Sequence, residues 1–585
     1  MKRIIFYLLL LVGIEHLHAQ NTIGVPQIVN YNKQSYGAGS QNWNITQDET
    51  GILYFANNDG LLSFDGTYWR IYPLPNKTIV RSVLAVGDKI FVGGQGEIGY
   101  FSPNVSGDLA YTSLNPFITA TDNDFADVWN IVAYNDVVFF RTNYKLLEWN
   151  NNSIKVHRSS NWGYLGVANG LLLARQNDVG LVYYENGEWK PKIKSGTLPG
   201  GNMMLRSIVE MNGDSILLVT LFDGLFVLNK DTLTPLNTDV AKQLRSRSIS
   251  SACKLPGNRI ALATNLGGCT IIDTRGNFVQ SFTRSEGIQN NNVLSVLSDR
   301  DGNIWLGLDN GIDLVAGSNS IRNIFPDGDD RHAGYTSIIH NNRLYLGVAT
   351  GVFSVALDNK QDDISYTLGS FDFIRNTEGQ VWTLSVVNDM LLMGHNKGAF
   401  ILEGATARAI DTRMGFWGFQ QLVPGQPESM IVAGTYNGIS FANPVSKNNI
   451  QFAVNTKVES ARFVAIGNDV IWIAHPYKGL YKILFDKNGI GEASRYEDKQ
   501  KILSGNHNKI FKLRDRIILS TDNGIFEYDH KSKDFVPATW LRQLIGEAPV
   551  GYIKRRPVRK YLVQPPAANG CTRSQFSRTA HYRLS

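Results

Sequence analysis

Cysteine is almost missing from this chain. Cys253, Cys269 and Cys571 are the only three in 585 residues, too few for a disulfide framework, so packing must hold the fold. Cys253 and Cys269 fall in one repeat, and we read them as two buried free thiols in preference to a bridge between neighbouring strands. Long apolar runs are missing as well. Ile4 to Ile14, behind Lys2 and Arg3, spans about 11 residues, short of the roughly 20 that a spanning helix needs, and no later segment comes close. With Leu17-His18-Ala19 ahead of Gln20 it reads as a secretory signal peptide over residues 1–19. The expected location is periplasmic or secreted, with no membrane span in the chain.

A strongly basic body is a third absence, although the formal charge is +6 and the pI near 8.9. Lys554, Arg555, Arg556, Arg559, Lys560, Arg573, Arg578 and Arg583 stand in the last 35 residues without one acid, and the leader adds Lys2 and Arg3 against Glu15. What lies between is weakly acidic, which disfavours nucleic acid as a partner. Catalytic motifs are absent too. There is no H-E-x-x-H and no G-x-S-x-G, and His332, His340, His395, His475, His507 and His530 are scattered without ligand spacing. We expect no enzyme, no cofactor and no metal.

What the chain does have is a repeat. VLSVLSDRDGNIWLGLDNGIDLV, Val293 to Val315, reads strand, Asp-Gly turn, strand, Asn-Gly turn, strand. The pattern returns from Trp43, Ser337, Thr383, Phe463 and Ile510. Its second-turn glycines are Gly60, Gly180, Gly224, Gly268, Gly311, Gly351, Gly398, Gly438, Gly479 and Gly524, mostly about 40 to 47 residues apart, the size of a four-stranded propeller blade. Two degenerate copies fit between Gly60 and Gly180, from Val83 and Trp129, the latter with Lys145 in the glycine's place. Sandwich domains need about 100 residues per unit. Propellers close with about four to eight blades, so some twelve units predict two tandem β-propellers.

The expected fold is all-β, with four-stranded antiparallel blades, about seven per ring, the second ring one blade short. The boundaries are signal peptide 1–19, first propeller 20–325, second propeller 326–550, and a degenerate blade with an aberrant basic tail over 551–585. The join falls at Pro326-Asp327-Gly328-Asp329-Asp330. Val25 to Gly39 is expected to supply a strand that completes one of the rings, without indicating which.

SDRDGNIWLGLDNGIDLV resembles the two-component regulator propeller repeat of Bacteroidetes sensors. VNYNKQSYGAGSQNWNITQDETGILYFANNDGLLSFDGTYWRIY, with RSVLAVGDKIFVGGQGEIGYFSP, looks like the opening of a narrower group among them. The resemblance covers roughly residues 25–550. It implies a double propeller followed by a three-tyrosine immunoglobulin-like domain, one transmembrane helix and a LuxR-type or histidine-kinase output, with homodimerisation through those downstream domains. None of them follows the blades here. After Gly551 we expect one strand, Lys560 to Gln564, in a thirteenth unit, and then no patterning, as in a frameshifted or truncated gene.

Two motifs invite chemistry and are better read as turns. Gly94-Gln95-Gly96-Glu97-Ile98-Gly99 matches the dinucleotide fingerprint, but no helix follows it. Asp299-Arg300-Asp301-Gly302-Asn303 offers calcium-type oxygens in the slot that Asp48 to Gly51 fills in the first repeat, where turn chemistry suffices. Asp327-Gly328-Asp329-Asp330, at the join, offers the same kind of oxygens; neither segment matches a complete calcium loop, and a junction metal site is the minority reading there.

The positional constellation is more informative. Innermost strands line a propeller's channel, so residues starting them should ring one mouth: Trp43, Arg81, Trp129, Arg206 and Asn292 in the first ring, Tyr335, Trp382, Trp417, Arg462 and Phe463 in the second. Aromatic faces stack on sugar C–H faces, and arginine forks match carboxylate or sulfate, so the expected partner is a small molecule or oligosaccharide. The competing reading has each Trp as a wedge between blades with Arg packed over it. Trp305 and Trp472 read as core. The function expected is an extracytoplasmic ligand sensor whose ligand shifts the angle between the rings. The alternatives are a secreted lyase-like propeller enzyme and a protein-binding scaffold.

Overall fold

The computed structural model describes residues 21–150, 152–198, 203–319, 321–328, 333–358, 363–443, 450–455, 458–546, 550–555, 560–564 and 580–583. The leader, Asp329, Asp330, His332 and Cys571 lie outside the described residues. Strands dominate, and the α-helices are single short ones, Lys33–Tyr36, Asp239–Arg245 and Thr539–Ile545. No helix among the described residues is long and apolar enough to cross a membrane. Contacts divide the chain into two units: unit 1 is Met1–Asp329 with Gln361–Gly369, and unit 2 is Asp330–Lys360 with Ser370–Ser585.

Unit 1 is a seven-bladed propeller of four-stranded antiparallel sheets. Six blades use consecutive strands, spanning 42–72, 80–113, 130–158, 162–194, 205–235 and 249–282. The seventh takes Val293–Ser298, Ile304–Leu308 and Gly311–Val315 from one stretch and its outermost strand, Ile28–Tyr31, from the start of the chain. Ile28 stands opposite Val315 and Tyr31 opposite Ile312. The closing strand thus belongs to the first ring, the point that the repeat pattern leaves open. Each seam between neighbouring blades holds its own apolar cluster, the seam from seventh blade back to first included, where Trp305 and Ile312 pack on Tyr36, Phe55 and Phe64.

Unit 2 has five successive blades starting at Gly334, Val381, Phe416, Phe463 and Lys509, then a three-stranded sheet of Tyr552–Arg555, Lys560–Gln564 and Ala580–Arg583. The strand at Lys560–Gln564 meets expectation. The one at Ala580–Arg583 corrects it, because the tail was expected to carry no further pattern; it pairs along Lys560–Val563.

The local reasons are legible in each blade. Second strands such as Leu53–Asn57, Ile304–Leu308 and Ile431–Thr435 are buried along their whole length, since each is flanked by strands on both edges and by blades on both faces, hence their unbroken apolar runs. The first turn is fixed by one carboxylate. Asp299 accepts from the backbone N–H of Asp301 (3.0 Å) and Asn303 (2.7 Å) and from the Trp305 indole (3.0 Å), and Asp48 serves Thr50, Gly51, Ile52 and the Tyr54 hydroxyl in the same way. These oxygens are committed to the turn. Gly94 to Gly99 is likewise a hairpin, its strands Lys89–Gly94 and Ile98–Pro103 joined by Gly94 N–H on the Glu97 carbonyl at 2.9 Å. Cys253 and Cys269 are free thiols in the seam between the sixth and seventh blades; burial pushes Cys253 up to about 12, well away from the reactive range.

Candidate functional site

Inner strands begin with a three-residue device. A residue that is in most blades packed in the seam is followed by one that has no partner on the second strand, then in most blades by a small polar residue, with Tyr164 and Gly418 as the exceptions. The unpartnered position is a β-bulge at Trp43, Arg81, Gly163, Arg206, Ser250 and Leu294 in unit 1 and at Tyr335, Trp382 and Trp417 in unit 2. Bulges re-aim a side chain out of the regular alternation. The polar residue that follows ties one inner strand to the next blade: Ser82 Oγ donates to the Val128 carbonyl (2.7 Å), Ser295 Oγ to the Asn42 carbonyl (3.1 Å), and Thr336 Oγ1 accepts from Leu384 N–H (3.1 Å). Trp129 and Arg462 take the equivalent place directly before strands Asn130–Tyr134 and Phe463–Ile466.

In unit 1 three of the expected residues meet. The Arg81 guanidinium lies 4.1 Å from the Trp43 ring centroid and 5.2 Å from that of Trp129, the two indoles standing edge to face at 6.4 Å. Its Nε is 3.2 Å from Asp127 Oδ1, and Trp43 Nε1 donates to Asn58 Oδ1 at 2.8 Å. The Arg81 charge thus has a counter-ion within the protein, although its buried Nη1 finds no hydrogen-bond partner among the described residues. Arg206 is exposed to solvent yet crowded by protein, and burial lowers its pKa; beside it Arg141 is pushed down to about 9, by burial first and then by the Arg206 charge. Asn292 is not at the ring position. It precedes the strand and hydrogen-bonds Asn265 at 3.0 Å, while Leu294 holds the bulge.

In unit 2 the residues form a continuous arc across five blades. Tyr335 contacts Trp382 (centroids 5.1 Å), Trp382 contacts Trp417 (5.0 Å), and Arg462 lies over both Trp417 (4.8 Å) and Phe463 (5.6 Å). Lys509 follows, its Nζ 5.9 Å from the Phe463 ring. Tyr436 backs the arc, stacking near Trp417 at 4.7 Å and accepting the Trp382 indole N–H at 2.8 Å. Among the described residues neither Arg462 nor Lys509 is ion-paired, and the Lys509 ammonium is lowered by burial and then by Arg462. Two cations and four exposed or half-exposed rings therefore lie in one continuous arc with no counter-charge among the described residues. Phe463 is the residue after the ring position, which Arg462 fills.

Lys509 and Tyr436 were not expected, and neither were Gly163, Ser250 and Leu294. Aligning the triplets Asn42-Trp43-Asn44, Val80-Arg81-Ser82, Leu205-Arg206-Ser207, Val293-Leu294-Ser295 and Val381-Trp382-Thr383 by their last polar residue finds these five bulges, but not Gly163 or Trp417, which Tyr164 and Gly418 follow. Tyr436 lies in a second-turn loop and leaves no such signal. No group of three or more His, Cys, Asp or Glu among the described residues could hold a metal.

No family model matches the sequence, and no curated protein matches it. Solved structures do. The extracellular domain of the hybrid two component system BT3049 from B. thetaiotaomicron aligns at TM-score 0.66 and 15% identity, covering 92% of this chain and 76% of that one. The extracellular domain of BT4673 from the same organism aligns at TM-score 0.42 and 14% identity over 92% and 81%. Virginiamycin B lyase from Staphylococcus aureus aligns at TM-score 0.39 and 13% identity, covering 50% of this chain and 98% of that one. At these identities the likeness to the BT3049 domain speaks for the double-propeller fold.

Proposed function

We propose that this chain is the receiving part of an extracytoplasmic sensor, and that unit 2 binds an acidic oligosaccharide at the mouth ringed by Tyr335, Trp382, Trp417, Arg462 and Phe463. The observation that carries the reading is the contrast between the two mouths. In unit 1 the arginine already has Asp127 as its counter-ion; in unit 2 the cations have none among the described residues, so an anionic ligand supplies it, while the rings stack on sugar faces. The fold shared with a two component system's extracellular domain supports a sensing role, and among the described residues no paired acid and base stands in the arc for turnover. A sensor then needs only that the ligand bind one arrangement of the chain better than another.

Calorimetric titration of the purified chain with uronate-containing and with neutral oligosaccharides of equal length tests this. The acidic series should bind, and Trp382→Ala and Arg462→Gln should each weaken it by about tenfold or more, as for anchors of a desolvated contact. Equal binding of neutral and acidic sugars, or unchanged affinity in both variants, rejects the site; cleavage of the sugar during the titration rejects the sensor reading.

A further inference from the structure

A second pocket, within unit 1, is built for a different ligand. It is a cavity of about 190 Å³ at the seam between the sixth and seventh blades, beside their first turns. Its floor is apolar: Ile271, Phe282, Ile304 and Val315 line it and are all nearly or fully buried. That volume exceeds the roughly 150 Å³ of an apolar cavity that takes up benzene. Its rim is cationic. Arg259 Nη1 donates to the Tyr366 hydroxyl at 2.8 Å, with the guanidinium 4.8 Å from the Tyr366 ring centroid. Arg322 hydrogen-bonds the same side chain and also donates to the Gly317 carbonyl at 3.3 Å. Asp301 lies on the rim as well, yet neither arginine forms an ion pair with any described carboxylate.

The hydroxyl is the informative atom. Burial would raise the Tyr366 phenol, and the hydrogen bonds and charges of Arg322 and Arg259 outweigh it, so its pKa falls. A phenol that accepts twice still has a proton to give, and among the described residues nothing accepts it. An acidified O–H and two guanidiniums, all donors, meet at the edge of a cavity with an apolar floor. We infer that this pocket binds a small carboxylate with an apolar body the size of a single aromatic ring, the carboxylate taking the Tyr366 proton and the arginine N–H groups, the body lying on Ile271, Phe282, Ile304 and Val315. The inference stands apart from the sugar site, which lies in unit 2.

The probe is 3-phenylpropionate, with 3-phenylpropionamide as its uncharged twin, titrated into the full chain with labelled Ile and Val methyl groups. The acid should shift the methyl signals of Ile271, Ile304 and Val315 and bind at least about tenfold more tightly than the amide, as charge-assisted hydrogen bonds require. Arg259→Gln with Arg322→Gln should remove that preference. Tyr366→Phe, which keeps the ring and its packing, should weaken the acid severalfold and leave the amide unchanged. Val279→Trp, on the pocket lining, should abolish both. Equal binding of acid and amide, methyl shifts elsewhere only, or no binding by a chain whose unfolding transition is intact overturns the proposal, and each leaves the sugar site untouched.

Discussion

Gly60 and Gly87 both have positive φ, +137° and +57°, yet they are not equivalent. A Cβ on Gly60 would sit 2.5 Å from the Tyr72 carbonyl oxygen, on the outer strand of its own blade, whereas a Cβ on Gly87 meets nothing within 4 Å. Only the first is fixed by packing as well as by conformation. Gly60→Ala should therefore cost about 2–4 kcal/mol in denaturant unfolding, and Gly87→Asn, which tolerates the left-handed region, within about 0.5 kcal/mol of nothing. His395 makes a similar local case. Thr435 and Thr521 stand three residues before a turn glycine and donate to its carbonyl at 2.8 and 3.4 Å. His395 takes that place before Gly398, buried, with Nδ1 accepting from Lys397 N–H at 3.1 Å. Burial first and the Lys397 charge second hold its pKa below the ordinary 6.5. A depressed folded pKa means that stability is complete above the unfolded value and is lost as pH falls through the folded one. Melting temperatures measured from about pH 7 down to about pH 5 should thus fall less steeply in His395→Thr than in the parent.

At the scale of elements, the closing strand Ile28–Tyr31 does more than add hydrogen bonds. Tyr31 stacks on Trp305 (5.9 Å, interplanar angle 14°) and meets Trp69 and Phe64 of the first blade at 5.2 and 5.5 Å, so one side chain binds the seventh blade to the first. Tyr31→Ala should cost about 3 kcal/mol, and hydrogen exchange should quicken in strands Gly311–Val315 and Asn42–Gln47 before those of the fourth blade. The pairing of this strand shows where sequence reading stops. Turns are local, and Asp299 to Gly302 or Gly311 can be read from a few letters. The partner of Ile28 is Val315, and no short-range pattern distinguishes it from a strand end in the other ring. The same limit displaced the ring position of the seventh blade: a glycine marks the second turn, but nothing so sharp marks where an inner strand starts, and Asn292 was read for Leu294.

At the scale of the molecule, the repeat count spoke for two rings and left their mouths alike, each with tryptophans and arginine at the starts of inner strands. The difference between them is one carboxylate. Asp127 reaches Arg81 from the connection into the next blade, and a pairing across blades has no signature in a scan for motifs. Strand Ile28–Tyr31 also sets a clock. A chain made from its N-terminus at about 5–20 residues per second exposes this strand roughly 15 to 60 s before its partner Val315 exists. Through that interval it is an unpaired edge, open to any other strand. The seam that finally locks the ring is therefore the first to be offered and the last to be made, and whatever escorts the growing chain must keep four residues near its beginning free until its middle has arrived.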